Sequence, residues 1–90
     1  MQNEFEKTKK LAKIISDERY ISLRRKIGDT KAFIMYLKFG YYENKSFTDL
    51  EISEFLGMEL KHVLKNLHEA LIKLGLDDIY GIENDFVSRR

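Results

Sequence analysis

The chain has 90 residues and a formal net charge of +1, from 16 Lys or Arg and 15 Asp or Glu, so it can form one domain at most. It contains no cysteine, which excludes disulfides and a cysteine-based zinc site. The absence of proline, the small number of glycines and a hydrophobic content of 43% favour an all-α fold with a small core.

The sequence also lacks the features of a membrane or exported protein. No apolar run approaches the ~20 residues of a membrane span. The N-terminal residues are polar and contain no signal-peptide core. We therefore expect a soluble, cytoplasmic protein with no membrane partner.

The apolar pattern predicts two helices before Gly28. The first covers roughly residues 3–15, with lysines on its polar faces. Residues 16–18, with the sequence Ser-Asp-Glu, indicate a break and a new N-cap. The second helix then follows an apolar stripe that ends at Gly28 and consists of Tyr20, Leu23 and Ile27.

A third helix is predicted over residues 31–39, with Asp29 or Thr30 as its cap and Gly40 as its end. This segment is apolar nearly all round, which is typical of a central, buried helix. Residues 41–46 are expected to form a loop.

The next two predicted helices are separated by Gly57. The fourth covers about residues 48–56, and Thr48 followed by Glu51 matches a capping box. Gly57 stands where the chain must turn sharply. Glycine is the residue least strained in such a turn, because it has no Cβ. The fifth helix covers about residues 59–74. Two helices joined in this way form a unit that can place its second helix in the major groove of DNA.

Short motifs run through the same part of the chain at a preserved spacing: residues 34–40, 47–48, 51–52, 56–58, Val63 and residues 70–74. In order and in loop length they resemble region four of the primary, promoter-reading sigma factors of bacterial RNA polymerase. The resemblance covers about half of the chain. It implies a bundle of four to five helices with a helix-turn-helix in its C-terminal half and no winged elements.

The residues that read the promoter in this family are not preserved here. The family opens its recognition helix with Ser or Thr, where this chain has Glu59. Leu60 and Leu64 occupy its arginine positions, and Lys61 and Lys65 occupy its Glu and Gln positions. Leu cannot make the bidentate contact to guanine for which Arg is suited. The resemblance therefore implies the fold but not the family's DNA sequence preference.

A second helix-turn-helix family competes with this interpretation. The segment from Val63 to Leu76, with Lys-Leu-Gly-Leu at its end, also resembles the end of LuxR-type response-regulator domains. Those domains have a shorter and more polar connection before the motif. The longer loop over residues 41–47 favours the sigma-like interpretation.

Basic residues of the fifth helix are the first candidates for phosphate contacts, because Lys–phosphate contacts supply affinity by counterion release. The N-terminus of the fourth helix and the densest basic cluster near the N-terminus are further candidates. A plain solvated face is the alternative for each cluster. The candidate DNA-binding residues are Thr48, Lys61, His62, Lys65, His68, Arg24, Arg25 and Lys26, with Lys38, Lys45 and Ser46 as additional contacts near the loop.

The apolar face of the fifth helix allows two interpretations. One is ordinary core packing. The other is that Leu60 and Leu64, at the edge of this face, bind a protein, since exposed apolar patches mark interfaces. Tyr41 and Tyr42 in the loop either fill the core or contact a partner. The candidate partner-binding residues are therefore Leu60, Leu64, Tyr41 and Tyr42.

The sequence favours a protein that is not an enzyme, with no cofactor and no metal. His62 and His68 are six residues apart, whereas a metal-binding pair on a helix needs a spacing of three or four. There is no Gly-x-Ser-x-Gly nucleophile motif and no Gly-rich phosphate loop.

Together these features predict a non-catalytic DNA-binding transcription regulator that acts with RNA polymerase at promoters. The expected partners are promoter-like duplex DNA and the RNA polymerase core or a sigma-related protein. The alternative is a protein-interaction module, such as an anti-sigma factor, a co-activator or a homodimeric adaptor, with little sequence-specific DNA reading. The DNA target, the sign of regulation and the oligomeric state stay open.

The expected layout has three parts. Residues 1–28 form N-terminal helices that serve as a packing or dimerisation arm. Residues 29–76 form the sigma-like helix-turn-helix domain, and residues 77–90 form a C-terminal tail. Ninety residues leave no room for a promoter-melting domain, so we expect either a fragment or a stand-alone sigma-like regulator.

Overall fold

The computed structural model describes residues 4–75. In that range the chain forms five α-helices and no strand, which confirms the predicted all-α class. The helices are α1 (Glu4–Ile15), α2 (Glu18–Ile27), α3 (Asp29–Lys38), α4 (Asp49–Leu56) and α5 (Leu60–Lys73). The predicted tail over residues 77–90 lies outside the described residues. Within the described range, every helix is too short or too polar to traverse a lipid bilayer.

Helix α2 begins at the predicted break, where Asp17 is its N-cap. The carboxylate of Asp17 accepts a hydrogen bond from the backbone N–H of Arg19 at 2.9 Å. It also accepts the Arg19 guanidinium at 2.7 Å and the Tyr36 hydroxyl at 2.6 Å. The guanidinium of Arg19 in turn lies 4.7 Å from the ring centre of Tyr41. A single carboxylate therefore joins the start of α2 to α3 and to the loop that follows α3.

The predicted cap of α3 was wrong, because neither Asp29 nor Thr30 caps it. Helix α3 begins directly after Gly28, which has a φ of 87° and supplies no side-chain cap. This positive φ is easily adopted only by glycine, so the chain turns at Gly28 and the helix starts two residues earlier than expected. The Asp29 carboxylate instead accepts the Tyr20 hydroxyl at 3.0 Å and pairs with Arg24 at 2.6 Å.

Helix α3 is the centre of the fold, as its apolar composition predicts. It packs against α2, α4 and α5. Its residues Ile34, Met35 and Leu37 are fully buried, and each such side chain contributes about 1.5–3 kcal/mol when it leaves water. The rest of the core comes from the other four helices and the loop: Ile14, Tyr20, Leu23, Ile27, Tyr41, Phe47, Ile52, Val63, Ala70 and Leu74, with Ala32 and Tyr36 of α3.

A polar contact supplements this packing between α3 and α5. The Lys31 ammonium lies 3.3 Å from the side-chain oxygen of Asn66 and 3.3 Å from a carboxylate oxygen of Glu69. Only 18% of the Lys31 side chain is exposed. Val63 and Ala70 are fully buried in the core. These contacts decide which side of α5 faces the core and which side faces solvent.

Substitution of Asp17 by Asn tests the charge of this carboxylate, because Asn keeps an oxygen that can cap α2. The pKa of Asp17 is lowered from 3.8 to about 2, mainly because the Arg19 side chain donates hydrogen bonds to its carboxylate. Because the folded state binds this proton less tightly than the unfolded chain, the stabilisation is present above pH 3.8 and is lost as the pH falls towards 2. We expect Asp17→Asn to lower the free energy of unfolding by about 2 kcal/mol at neutral pH.

The measurement is urea denaturation followed by circular dichroism at several pH values. The Glu18→Gln variant is the control, since it removes a charge from the exposed neighbouring position and should cost less than about 1 kcal/mol through the helix dipole. The difference between wild type and Asp17→Asn should shrink towards pH 2. A difference that stays constant over this range would show that the charge of Asp17 is not the cause.

Candidate functional site

The start of α4 has the predicted capping box. The Glu51 N–H donates to the Thr48 hydroxyl oxygen at 3.1 Å, and the Thr48 N–H donates to the Glu51 carboxylate at 2.9 Å. The bond from the Thr48 N–H is the largest cause that lowers the pKa of Glu51. Thr48 is exposed, but its hydroxyl oxygen already accepts a bond in the cap. Its O–H remains as the donor for an external group.

A three-residue turn joins α4 to α5, and Gly57 is its first residue. Gly57 has a φ of 68° and a ψ of 35°, the left-handed conformation expected for a helix C-cap. The N–H groups of Gly57 and Met58 both donate to the carbonyl oxygen of Ser53. The Ser53 hydroxyl donates to the carbonyl oxygen of Met58. The predicted turn at Gly57 is therefore confirmed.

Helix α5 begins without a side-chain cap. Glu59 occupies the N-cap position in an extended conformation and makes no capping hydrogen bond. Its carboxylate lies 3.5 Å from the Lys61 ammonium, and 74% of the Lys61 side chain is exposed. An exposed pair of this kind contributes at most about 1 kcal/mol, so Lys61 is held only weakly and can exchange Glu59 for another anion.

The predicted DNA-binding residues of α5 all lie on its solvent side. Lys61, His62, Lys65 and His68 are exposed. Residues three and four apart on a helix lie one above the other. Lys61, Lys65 and His68 therefore form a continuous line, which we call the basic row. His62 lies to one side of it.

The exposed side of α5 is also apolar in part. Leu60, Leu64 and Leu71 have exposed fractions of 40%, 46% and 38%, and Ile72 is 69% exposed. The core interpretation therefore holds for Val63, Ala70 and Leu74 but is wrong for Leu60 and Leu64. The sequence interpretation placed Leu71 on the apolar face without predicting its exposure, and it did not consider Ile72. The spacing of Leu60, Leu64 and Leu71 at intervals of four and seven could have found Leu71.

The N-terminal basic cluster belongs to a different element. Arg24, Arg25 and Lys26 are exposed and lie in the last turn of α2. Arg24 is in an ion pair with Asp29 at 2.6 Å. The described structure therefore places this cluster at a helix end separate from the basic row of α5.

The two tyrosines of the loop differ in exposure. Tyr41 is only 7% exposed, and its ring centre lies 5.6 Å from that of Tyr36. Of the two interpretations of Tyr41, core packing is confirmed and a surface contact is wrong, because Arg19 and Tyr36 cover its ring. Tyr42 is half-buried against Phe47 and Phe55, and burial raises the pKa of its hydroxyl. Part of Tyr42 remains at the surface.

The additional candidates near the loop are engaged with α4 or with the backbone. Lys38 pairs with Asp49 at 2.8 Å, and Lys45 pairs with Glu51 at 3.2 Å. The Ser46 hydroxyl donates to the carbonyl oxygen of Lys38 at 2.7 Å. These two lysines therefore neutralise acidic side chains at the start of α4.

A groove of about 760 Å³ lies between α1 and the loop. The sequence interpretation left the lysines of α1 as either a nucleic-acid or acidic-protein surface or a solvated face, and it did not predict a groove. The groove is lined by Lys9, Lys10, Ala12, Lys13, Tyr42 and Glu43. Within residues 4–75, no three His, Cys, Asp or Glu side chains are grouped so that they could hold a metal ion.

Comparison of the chain with protein-family models, with curated proteins and with solved structures found no match. The resemblance to sigma region four thus depends on the short motifs between residues 34 and 74 and stays a prediction.

Substitution of Gly57 tests the turn between α4 and α5. An L-residue in the left-handed conformation costs roughly 1–2 kcal/mol, so we expect Gly57→Ala to lower the free energy of unfolding by about 1 kcal/mol. Gly57→Asn should cost less, because Asn tolerates this conformation. Gly75→Ala is the matched control, since an added Cβ at Gly75 would meet no atom within 4 Å. Equal losses in Gly57→Ala and Gly75→Ala, measured by urea denaturation, would contradict this account of the turn.

Proposed function

We propose that this chain is a cytoplasmic DNA-binding transcription regulator of the sigma region-four type, which acts without catalysis and together with RNA polymerase at promoters. The observation that carries the proposal is the outward basic row on a helix that follows a tight glycine turn. Lys61, Lys65 and His68 face solvent, while Val63 and Ala70 hold the opposite side of α5 in the core. The major groove of B-DNA is ~12 Å wide and admits a helix presented in this way.

The chemistry of α5 favours phosphate contacts over base contacts. Lys61 and Lys65 are strong phosphate ligands, and phosphate contacts position a protein on DNA without reading its sequence. Leu60 and Leu64 replace the arginines that read guanine in the resembled family. A thymine methyl is the one base feature that a leucine can contact well. Sequence selection would therefore come mainly from the polymerase or from another subunit.

Acidic residues at the start of α4 oppose the approach of DNA, but their charges are partly compensated. Asp49 pairs with Lys38 and Glu51 pairs with Lys45. Glu54 and Glu59 remain exposed. With a sequence pI of about 7.9, the chain is less basic than most strong nucleic-acid binders. We therefore propose that its affinity for DNA alone is weak and strongly salt-dependent.

A second function is favoured by a different observation. Leu60 and Leu64 are 40% and 46% exposed. An apolar side chain at the surface of a DNA-binding helix gains little from contact with phosphate. Such a patch suits a protein partner. In that case the chain is an interaction module, such as an anti-sigma factor, a co-activator or a homodimeric adaptor, and its DNA reading is minor.

The Lys61→Ala, Lys65→Ala double variant tests DNA binding. Each lost phosphate contact reduces the slope of log K against log salt by about 0.9, so we expect weaker binding and a slope smaller by about 2. The measurement is fluorescence anisotropy with a labelled duplex over a series of salt concentrations. Both lysines are exposed, so the fold should not change.

The matched control is the Lys10→Ala, Lys13→Ala variant, which removes the same charge from α1 and should leave the slope nearly unchanged. An unchanged slope in the α5 variant would remove α5 from the DNA interface and favour the interaction module. Equal loss in both variants would show that only net charge matters.

The Leu60→Ser, Leu64→Ser variant tests the apolar patch. Both side chains are partly exposed, so we expect each substitution to cost about 1 kcal/mol of stability and to leave the chain folded. If the patch binds a partner, capture of the RNA polymerase core from the native host should weaken by about tenfold or more, while the salt slope for DNA stays as in the wild type. Unfolding of this variant would show that both leucines act as core residues.

A further inference from the structure

The groove beside α1 is a surface that the proposed function does not use. Lys9, Lys10 and Lys13 line it on the side of α1, and Tyr42 and Glu43 line it on the side of the loop. Its volume of about 760 Å³ falls in the range of ligand-binding clefts, ~300–1,000 Å³. The groove therefore has room for a side chain together with the backbone that carries it.

The groove combines an apolar lining with cationic groups. Most of its lining surface is apolar, although most of its residues are charged. Lysine covers apolar surface with its methylene stem while its ammonium group stays in water. The methyl group of Ala12 and the ring of Tyr42 add to the apolar part. A ligand that fits has an apolar group for the lining and charged groups for the rim.

The charge of the groove selects an anionic ligand. Three lysines and one glutamate line it, so its charge is net positive. Lys9 and Lys13 are four residues apart on α1, which places them on one side of the helix with an axial separation of about 6 Å. Two carboxylates on neighbouring positions of a peptide can reach both ammonium groups. Opposite charge at such a rim favours the encounter and fixes the orientation of the ligand.

The loop side of the groove is held in a fixed conformation. The ring centre of Tyr42 lies 6.1 Å from that of Phe47 and 5.8 Å from that of Phe55, so Tyr42 is supported from within the fold. Glu43 and Asn44 have φ angles of 53° and 56°. Such strained backbone occurs preferentially at binding sites. A surface that is ordered before binding loses little entropy when a ligand arrives.

We propose that this groove binds an acidic peptide segment of a partner protein. An aromatic or aliphatic side chain of the peptide enters the groove between Ala12 and Tyr42, and flanking carboxylates pair with the lysines of α1. Apolar burial supplies affinity, and the ionic contacts supply orientation and selectivity. This site is on a different helix from the surface proposed for DNA, and its test contains no duplex.

Single-stranded nucleic acid fits the same groove less well. Each nucleotide carries a phosphate, so a strand that follows the lysines also passes the carboxylate of Glu43. The backbone of DNA has no N–H group to offer this carboxylate, whereas a peptide backbone has one at nearly every residue. The mainly apolar lining likewise favours a ligand with an apolar side chain.

The test is an NMR titration of the full, isotope-labelled chain with the end-blocked peptide Glu-Asp-Glu-Phe-Asp-Glu-Asp. We expect saturable shifts of the amide signals that belong to the groove, above all those of Ala12, Lys13, Tyr42 and Glu43. Replacement of the peptide's Phe by Ser should weaken the affinity about tenfold, because an apolar side chain no longer leaves water.

The Glu43→Gln variant tests the groove by a gain of binding, which loss of the fold cannot produce. It removes the one acidic side chain that lines the groove and should strengthen peptide binding about threefold, because a repulsive charge is lost. Glu54→Gln is the matched control, since it removes the same charge from an exposed position on α4 and should change the affinity much less. Equal gains in the two variants would show that only net charge matters and would overturn the proposal.

Charge reversal identifies the lysines. Lys10→Glu with Lys13→Glu should weaken peptide binding about tenfold or more, and the same amide spectrum shows whether the chain is folded. Lys61→Glu with Lys65→Glu carries the same change on α5 and should leave peptide binding in place. Loss of binding only in the α5 variant, with peptide-induced shifts on α5 of the wild type, would place the peptide there and overturn the proposal.

Four further outcomes overturn it. One is the absence of saturable shifts, and another is equal affinity for the Phe and the Ser peptides. A third is tighter binding of a single-stranded oligothymidylate than of the Phe peptide in the groove. The fourth is a shift of the groove signals that depends on the concentration of the chain without peptide, because that result means that a second copy occupies the groove.

Discussion

The orientation of α5 depends on a partly buried lysine of α3, Lys31. The Lys31 ammonium bonds to Asn66 and to Glu69, which lie nearly one turn apart on the same side of α5. Hydrogen bonds of a charged donor are stronger than neutral ones, and two of them resist rotation of the helix about its axis. Val63 and Ala70 lie beside this contact in the core. Every statement about which side chains of α5 face solvent follows from this arrangement.

The N-terminal helices contribute to the same core rather than standing apart from it. Ile14, Leu23 and Ile27 belong to one cluster with residues of α3 and α5. The Asp17 carboxylate fixes the other side of α3 through Tyr36, and Arg19 covers Tyr41. These contacts hold the loop after α3 in place, so that Lys38 can pair with Asp49 at the start of α4. Lys45 pairs with Glu51 in the same turn of α4. The turn and α5 then follow in a defined position.

Local sequence signals predicted the helices well, and contacts between distant residues account for the errors about burial. The capping box at Thr48 and the turn at Gly57 depend on residues within a few positions of each other, so the sequence contains them in full. The burial of Tyr41 depends on Arg19, which is 22 positions away (41 − 19). The spacing of the apolar residues predicted a broad apolar face on α5, but it did not show which residues lie at the buried centre of that face. The centre is set by Lys31, which no pattern within α5 can reveal.

The arrangement of α5 limits how selective its surface is under the proposed function. A line of leucines and a line of basic residues lie side by side on α5. A partner therefore gains most when it offers apolar and acidic groups together, whereas a DNA duplex offers phosphates and, as apolar groups, mainly thymine methyls. The weak pair between Lys61 and Glu59 is broken at little cost by either ligand. A surface of this composition binds a phosphate backbone mainly by charge, and it binds a protein segment by charge and by apolar burial. Under the proposed function, higher salt is therefore expected to weaken DNA binding more than the binding of a protein partner, since salt weakens the ionic part while the apolar part remains.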